Sequence, residues 1–423
     1  MNDAAPASAD RIQGIDVARG LALLGILLVN TRFFFGTLAC ALDPALVPPG
    51  LAPTVADAVA WSVVEVLCTF KCMSLFSILF GFGLAAQARR SKRAIPRRLC
   101  VLIALGILHG TLVWYGDILT LYGILGFAVF GFAVIDPRWT RRAAIAVVSL
   151  IVVVTLLSAG ARGVIAANPE WSAELARAGG DRDSADTTLR GLSAMTASGF
   201  DVTHPSWIAA ETAAFQQGPF ADALLFRTVS YGFSLLAAAF GYGWHALAMM
   251  LFGLWAFQSG LFAQGDAAAS RRRRRIAAIA LPAGLVLALA SVLPYWILGL
   301  DSPLAAAIHT VGLEFAGLVL PLAYATLLVE FAPRLPRTLA TPLARAGRMS
   351  LTVYFAESVV CVTLASWWGL GWFGTMLDAR FMAVAVGVWI VLVAGATMWI
   401  PRFGTGPVER LWRRLAYGRI AVE

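Results

Sequence analysis

Charge is the first thing this sequence has little of: 13% of its 423 residues are Asp, Glu, Lys or Arg, against 59% hydrophobic. Soluble domains are about a quarter charged, so water is excluded as the main solvent of this chain. Cysteine is scarce too, with Cys40, Cys68, Cys72, Cys100 and Cys361 and no C-x-x-C pair. No His stands at a ligand spacing from them, so no metal site and no bound cofactor are expected, and the thiols should be free and buried. No G-x-S-x-G, P-loop or dinucleotide fingerprint occurs in a strand-to-helix context, which sets aside soluble hydrolases and nucleotide-binding enzymes. The net charge of +9 and the run Arg271 to Arg275 come without a soluble module or groove-reading motif, so no nucleic-acid partner is expected.

What is there is a series of apolar stretches of about 18 to 25 residues, each able to cross a hydrocarbon core roughly 30 Å thick as a helix. The expected fold is all-α: a polytopic membrane bundle of about ten spans at 15–35, 69–88, 98–115, 118–135, 143–160, 240–262, 276–298, 304–330, 349–368 and 380–400. Basic groups at Arg11 and Arg19, Arg89 to Arg98, Arg138 to Arg142, Arg271 to Arg275, Arg334 to Arg348 and Arg402 to Arg419 fall on alternate connections and hold 25 of the 33 Lys and Arg residues. The positive-inside rule puts them, and both termini, in the cytoplasm. The chain then divides into an N-terminal membrane half (1–160), a polar extracytoplasmic loop (161–222), a C-terminal membrane half (223–401) and a basic tail (402–423). Residues 51–68 and 220–239 are apolar, but as spans they would reverse every later loop, so they are expected as interfacial or re-entrant helices on the outer side. No A-x-A-like cleavage site follows the first apolar run, so that helix is expected to be retained, with the bilayer as its partner.

Polar residues inside the spans are the functional candidates, because a charge at mid-bilayer costs at least about 2.5 kcal/mol. Counting at about 1.5 Å per residue from the cytoplasmic anchors puts Asn30 and His109 both roughly 16 Å deep. Glu357, nine residues beyond Arg348, and Glu314, inside the helix opened by Asp301-Ser302-Pro303, fall at a similar level. Each also has a structural reading: a neutral imidazole, interhelical glue, a protonated carboxyl. Asp16 and Arg19 are i,i+3 partners at the inner mouth, either a local pair or a seat for an anionic phosphate. Asp117 sits in the outer turn beyond the helix of His109, either as a cap or facing that cavity, and Tyr122 follows it. Lys71 is expected to snorkel at the outer interface, and His204, His245 and His309 to be surface or interfacial.

Three N-terminal stretches carry a resemblance: Asp16-Val17-Ala18-Arg19-Gly20 running to Asn30, Leu75-Phe76-Ser77-Ile78-Leu79-Phe80-Gly81, and Leu108-His109-Gly110 through Gly116-Asp117. Met250-Leu251-Phe252-Gly253, Gly347-Arg348-Met349-Ser350-Leu351-Thr352-Val353-Tyr354 and Gly406-Pro407-Val408-Glu409-Arg410 extend it. The chain resembles the YeiB-like family of bacterial inner-membrane proteins, the domain of unknown function 418. Its first helix is also similar to that of transmembrane acyltransferases, whose sugar O-acylating members place a His eleven residues after the first-helix Arg, where this chain has Asn30. The resemblance implies passage of an acyl group from a cytoplasmic thioester such as acetyl-CoA to an extracytoplasmic acceptor. Arg19, Asp16, Tyr122, Arg348 and Tyr354 would bind substrate, Asn30 and His109 would flank the reacting carbonyl, and Asp117, Glu314 or Glu357 would orient the imidazole. Two rivals stand beside it: a transporter or flippase using the same residues, and a non-enzymatic assembly component acting through 161–222.

Overall fold

The computed structural model describes residues 13–48, 50–90, 92–168, 194–195, 198–300 and 302–417, and among these all regular structure is helical. In chain order the helices are α1 (Gln13–Phe35), α2 (Leu38–Leu42), α3 (Val55–Leu67), α4 (Lys71–Arg90), α5 (Ile95–Leu112), α6 (Leu119–Phe132), α7 (Pro137–Ala167) and α8 (Pro205–Gln217). They continue as α9 (Phe220–Phe240), α10 (Tyr242–Gln258), α11 (Ala267–Leu298), α12 (Pro303–Phe331), α13 (Arg337–Arg348), α14 (Ser350–Ala365), α15 (Asp378–Phe403) and α16 (Pro407–Tyr417). Each of the ten expected spans coincides with one of them. Among the described residues 8 helical stretches are long and apolar enough to cross a membrane, or 9 when α13 and α14, bent by 83°, count as one. The chain is therefore an all-helical membrane protein. Helices α6 and α10, at 14 and 17 residues, are shorter than the roughly 20 residues a spanning helix needs. Residues 169–193 and 196–197 of the expected outer loop, together with Arg11, Asp301 and Arg419, lie outside the described residues.

Without a hydrophobic force between helices in lipid, small residues decide how closely backbones approach. The two Leu-Phe-Gly triplets meet for this reason: a Cβ added at Gly81 of α4 would collide with the Met250 carbonyl, and one at Gly253 of α10 with the Ile78 carbonyl. Their glycines are the surface on which α4 and α10 cross. Helix α1 is buried along much of its length, from Gly14 to Phe35, and runs through the middle of the bundle.

Contacts fix which helix ends lie together. The Arg98 guanidinium at the start of α5 stacks on Trp412, 4.2 Å from its ring, and lies over Tyr417. At the end of α10, Gln258 Nε2 donates to the carbonyls of Phe132 and Ile135 at the end of α6. At the other end of the bundle Arg32 pairs with Asp378 at the start of α15, and Tyr115 donates to the Phe33 carbonyl.

Helix α9 packs on α5, where Arg227 Nη1 donates to the Leu112 carbonyl at 2.8 Å and Tyr231 lies against Gly110. Helix α3 runs into α4 through a break at Phe70, whose φ of 63° lies in the left-handed region. The break also corrects the reading of Lys71. Thr69 N bonds Val64 O in place of Glu65 O, and the Lys71 ammonium, fully buried, takes the freed Glu65 carbonyl at 2.7 Å.

Candidate functional site

His109 ends the inward-facing side of α5 and is 1% exposed. Its Nδ1 lies 3.0 Å from Asp117 Oδ1, with both side chains wholly buried. Asp117 is held in turn, since Oδ2 accepts the Thr120 N–H at 2.9 Å and so caps the first turn of α6. Both sequence readings of Asp117 hold at once: it caps α6 and it faces His109. The other ring nitrogen, His109 Nε2, is buried with no hydrogen-bond partner among the described residues. A carboxylate on one nitrogen fixes the Nδ1–H tautomer and leaves the Nε2 lone pair open. Gly106 makes room for the pair, because a Cβ there would strike Thr120 and Asp117 Oδ2.

Aromatic rings surround the imidazole. Tyr354 and Phe355 of α14 lie with centroids 5.2 Å and 4.7 Å from it, and the Tyr354 hydroxyl accepts the Ile118 N–H at 3.4 Å. Tyr231 of α9 shares a hydrogen bond with Thr120 Oγ1 at 2.8 Å. Tyr122, one turn along α6, bonds Ser77 Oγ at 2.7 Å and the Met73 carbonyl at 3.1 Å, which ties the site to α4. Tyr231, Phe355, Thr120 and Ser77 were not singled out in the sequence; the polar pair Ser230-Tyr231 inside an apolar stretch was the available signal.

The four residues expected at a similar depth do not all share one cluster. Glu314 does not orient His109: its Oε1 lies 2.6 Å from Nδ1 of His245, whose Nε2 reaches Ser74 Oγ at 2.7 Å and the Gly317 carbonyl at 3.0 Å. His245 is thus a core residue, 1% exposed, and not the surface or interfacial one expected. His309 is also drawn inward, its Nδ1 on the Ser291 carbonyl at 3.0 Å. Glu357, on the same helix as Tyr354, is 2% exposed and its Oε1 has no partner among the described residues. Asn30 is half-buried on α1.

Arg19 and Asp16 lie one turn apart with Nη1 and Oδ1 3.9 Å from each other, and Arg19 Nη2 donates to the Leu79 carbonyl of α4 at 3.3 Å. The Arg19 side chain stays 25% exposed. Arg348 lies at the surface, donating to the Gly404 carbonyl at 3.3 Å. Among the described residues no group of three His, Cys, Asp or Glu side chains is placed to hold a metal ion.

The comparisons with known proteins bear on this arrangement. A family model described as "Protein of unknown function (DUF418)" matches residues 256–419. The uncharacterized protein YeiB of Escherichia coli (strain K12) is 30% identical over 402 residues, covering 95% of this chain and 95% of its own length. The chain belongs to the DUF418 family. The uncharacterized protein YxaH of Bacillus subtilis (strain 168) is similar too, 25% identical over 433 residues and 96% of this chain. The DUF418 match itself takes in Glu314, Arg348, Tyr354 and Glu357 and stops short of His109, Asp117, Arg19 and Asn30. The names of these relatives assign no activity, so the chemistry has to be argued from the side chains.

Proposed function

We propose that this DUF418 protein is a multi-pass inner-membrane enzyme of acyltransferase type, moving an acyl group from a cytoplasmic CoA thioester to a hydroxyl or amine acceptor from the other side. The observation that carries the reading is His109, with Nδ1 fixed on Asp117 and Nε2 buried and unpartnered. That is the arrangement of a general base and its orienting carboxylate. In the reaction the acceptor gives its proton to Nε2 as its lone pair attacks the thioester carbonyl. The C–S bond then breaks, and the imidazolium returns the proton to the leaving thiolate. Asn30 supplies amide N–H groups for the carbonyl oxygen, and Arg19, partly exposed at the basic end of α1, attracts the anionic donor.

The test is calorimetric titration of the purified protein in detergent with acetyl-CoA, for wild type, Arg19→Ala and His109→Ala. Specific binding that is lost in Arg19→Ala and kept in His109→Ala is expected. No binding by well-folded wild-type protein would sink the reading. Transport is the second reading, and Glu357 favours it, since a mid-span carboxyl with an unpartnered oxygen suits proton or substrate relay. Uptake into vesicles that disappears in Glu357→Gln without any acyl transfer would put transport first.

A further inference from the structure

His245, like His109, is buried, but both of its ring nitrogens are engaged. Its Nδ1 lies 2.6 Å from Glu314 Oε1 of α12, while Nε2 lies 2.7 Å from Ser74 Oγ of α4 and 3.0 Å from the Gly317 carbonyl. Taken alone, those distances would fit a nucleophile, a base and its orienting carboxylate. The Gly317 carbonyl rules that out. It can only accept, so Nε2 carries a hydrogen and cannot take one from Ser74.

With Nε2 holding that hydrogen, the short contact from Nδ1 to Oε1 requires one more proton between the two atoms. That proton belongs to the pair. As carboxylic acid on neutral imidazole, or carboxylate on imidazolium, the pair is net neutral; without the proton a carboxylate would face a ring lone pair at 2.6 Å. Nothing nearby would offset the charge. From α4 the pair meets the Ser74 hydroxyl and the Phe70 ring, whose centroid is 5.3 Å from the imidazole, while the Lys71 ammonium is taken by the Glu65 carbonyl. Among the described residues no Lys or Arg of any helix is in ion-pair contact with Glu314, and no other titratable side chain bonds either member.

The pair is not sealed. The Glu314 side chain is 17% exposed within the candidate span α12, and its Oε2 has no partner among the described residues. The backbone is fitted closely around the ring: a Cβ at Gly317 would crowd His245 Cε1 and Phe70 Cβ, and Phe70 holds its left-handed φ of 63° beside it. Strain of that kind gathers at functional sites. We infer that Glu314 and His245 form a proton-binding site within the membrane, filled and emptied through the open side of Glu314. Its ligand is a single proton, and each loading changes the charge of the site by one, as a proton-coupled protein requires. The site stands apart from the His109 dyad and rests on neither reading given above.

The experiment is nitrogen NMR on the intact protein in nanodiscs, carrying isotope-labelled histidine and titrated across the pH range in which the fold is kept. There are 4 His to resolve, and His245→Gln identifies the signal. His245 should keep its hydrogen on Nε2 throughout, while the Nδ1 signal moves in one step as rising pH removes the shared proton. Folded Glu314→Gln, whose amide has no proton to lose, should show no such step. In wild type, dicyclohexylcarbodiimide, which adds only to a carboxyl that holds its proton, should modify Glu314, severalfold less as pH rises, read by peptide mass spectrometry. His109→Ala should behave as wild type in both measurements, so a failed acyl-transfer reading leaves this result standing. The inference is overturned if His245 of the folded wild type shows no step, if the step persists in Glu314→Gln, or if the carbodiimide leaves Glu314 unmodified at every pH.

Discussion

At His109 the two ring nitrogens meet opposite surroundings, and this asymmetry is where a substitution should tell most. Replacing the imidazole by Ala removes the base itself, worth typically 10²–10⁴ in rate; turnover should fall by that factor while the protein still elutes as folded. Asp117→Asn keeps the cap on α6 through its side-chain oxygen but releases the tautomer, so it should lower kcat and leave the KM for the acyl donor nearly unchanged. A wild-type rate in either variant removes the dyad from the chemistry. A second residue makes a prediction in pH. Glu211, on helix α8 outside the candidate membrane spans, is buried with both oxygens 3.3 Å from the Leu38 N–H, and burial, outweighing that hydrogen bond, pushes its carboxyl from 4.5 up to about 8. A folded-state value above the unfolded one means the folded protein holds the proton more tightly. Stability is therefore full below about pH 4.5 and declines as pH rises toward 8. Thermal unfolding in detergent should show that decline in wild type and a flatter profile in Glu211→Gln. That Asp117 could face His109 was legible, because it sits in the turn that closes the helix of His109. Other partners were not: Glu314 and His109 were expected at one level, yet Glu314 turns to His245, since azimuth around each helix is set by packing that one chain's pattern does not print.

Helix α14 presents Tyr354, Phe355 and Glu357 to the core, and its start is not secured by its own sequence: Met349 at the N-cap offers no side-chain cap. Glu409 of α16 supplies one from 58 residues away. Its Oε1 accepts the N–H groups of Leu351 and Thr352 at 2.8 Å and 3.1 Å, and the Thr352 hydroxyl donates to Oε2. First-turn N–H groups have no partner within their own helix, and a carboxylate there also suits the positive end of the helix dipole. Glu409→Ala should thus lower stability by about 1–2 kcal/mol, read as a drop in Tm. Glu409→Gln, which keeps one acceptor oxygen, should recover part of it. An unchanged Tm in the alanine variant would mean that the tail helix does not secure α14. Helix positions were largely legible because twenty apolar residues between basic or glycine-rich connections admit little else. The 83° bend between α13 and α14 was not, since Gly347-Arg348-Met349-Ser350 reads equally as the start of a straight span. Nor was the break at Phe70, where an aromatic residue adopts a backbone that sequence would assign to glycine or asparagine.

For the molecule as a whole, the question left by composition is whether α9 crosses the membrane by itself. At 21 residues it is long and apolar enough, and as a lone crossing it would turn every later connection inside out, placing Arg271 to Arg275 outside against the positive-inside rule. Side-chain contacts argue for a different path. The start of α9 is tied through Arg227 to Leu112, at the far end of α5 from Arg98. The end of α10 is tied through Gln258 to the end of α6, and since α5 and α6 form an antiparallel hairpin, that is the end where Arg98 sits. Helices α9 and α10 are therefore expected to make one passage together, interrupted at Gly241. On that path Arg98, Arg272 and the α16 helix should lie on one side, as the expected alternation of ten passages requires. In a background without the five native cysteines, a membrane-impermeant maleimide should label Asp43→Cys in intact cells, and should label Arg93→Cys, Arg272→Cys and Arg413→Cys only after lysis. Labelling of Arg272→Cys in intact cells, with Arg93→Cys still protected, would mean that α9 spans alone, and the orientation of the whole C-terminal half would have to be reversed.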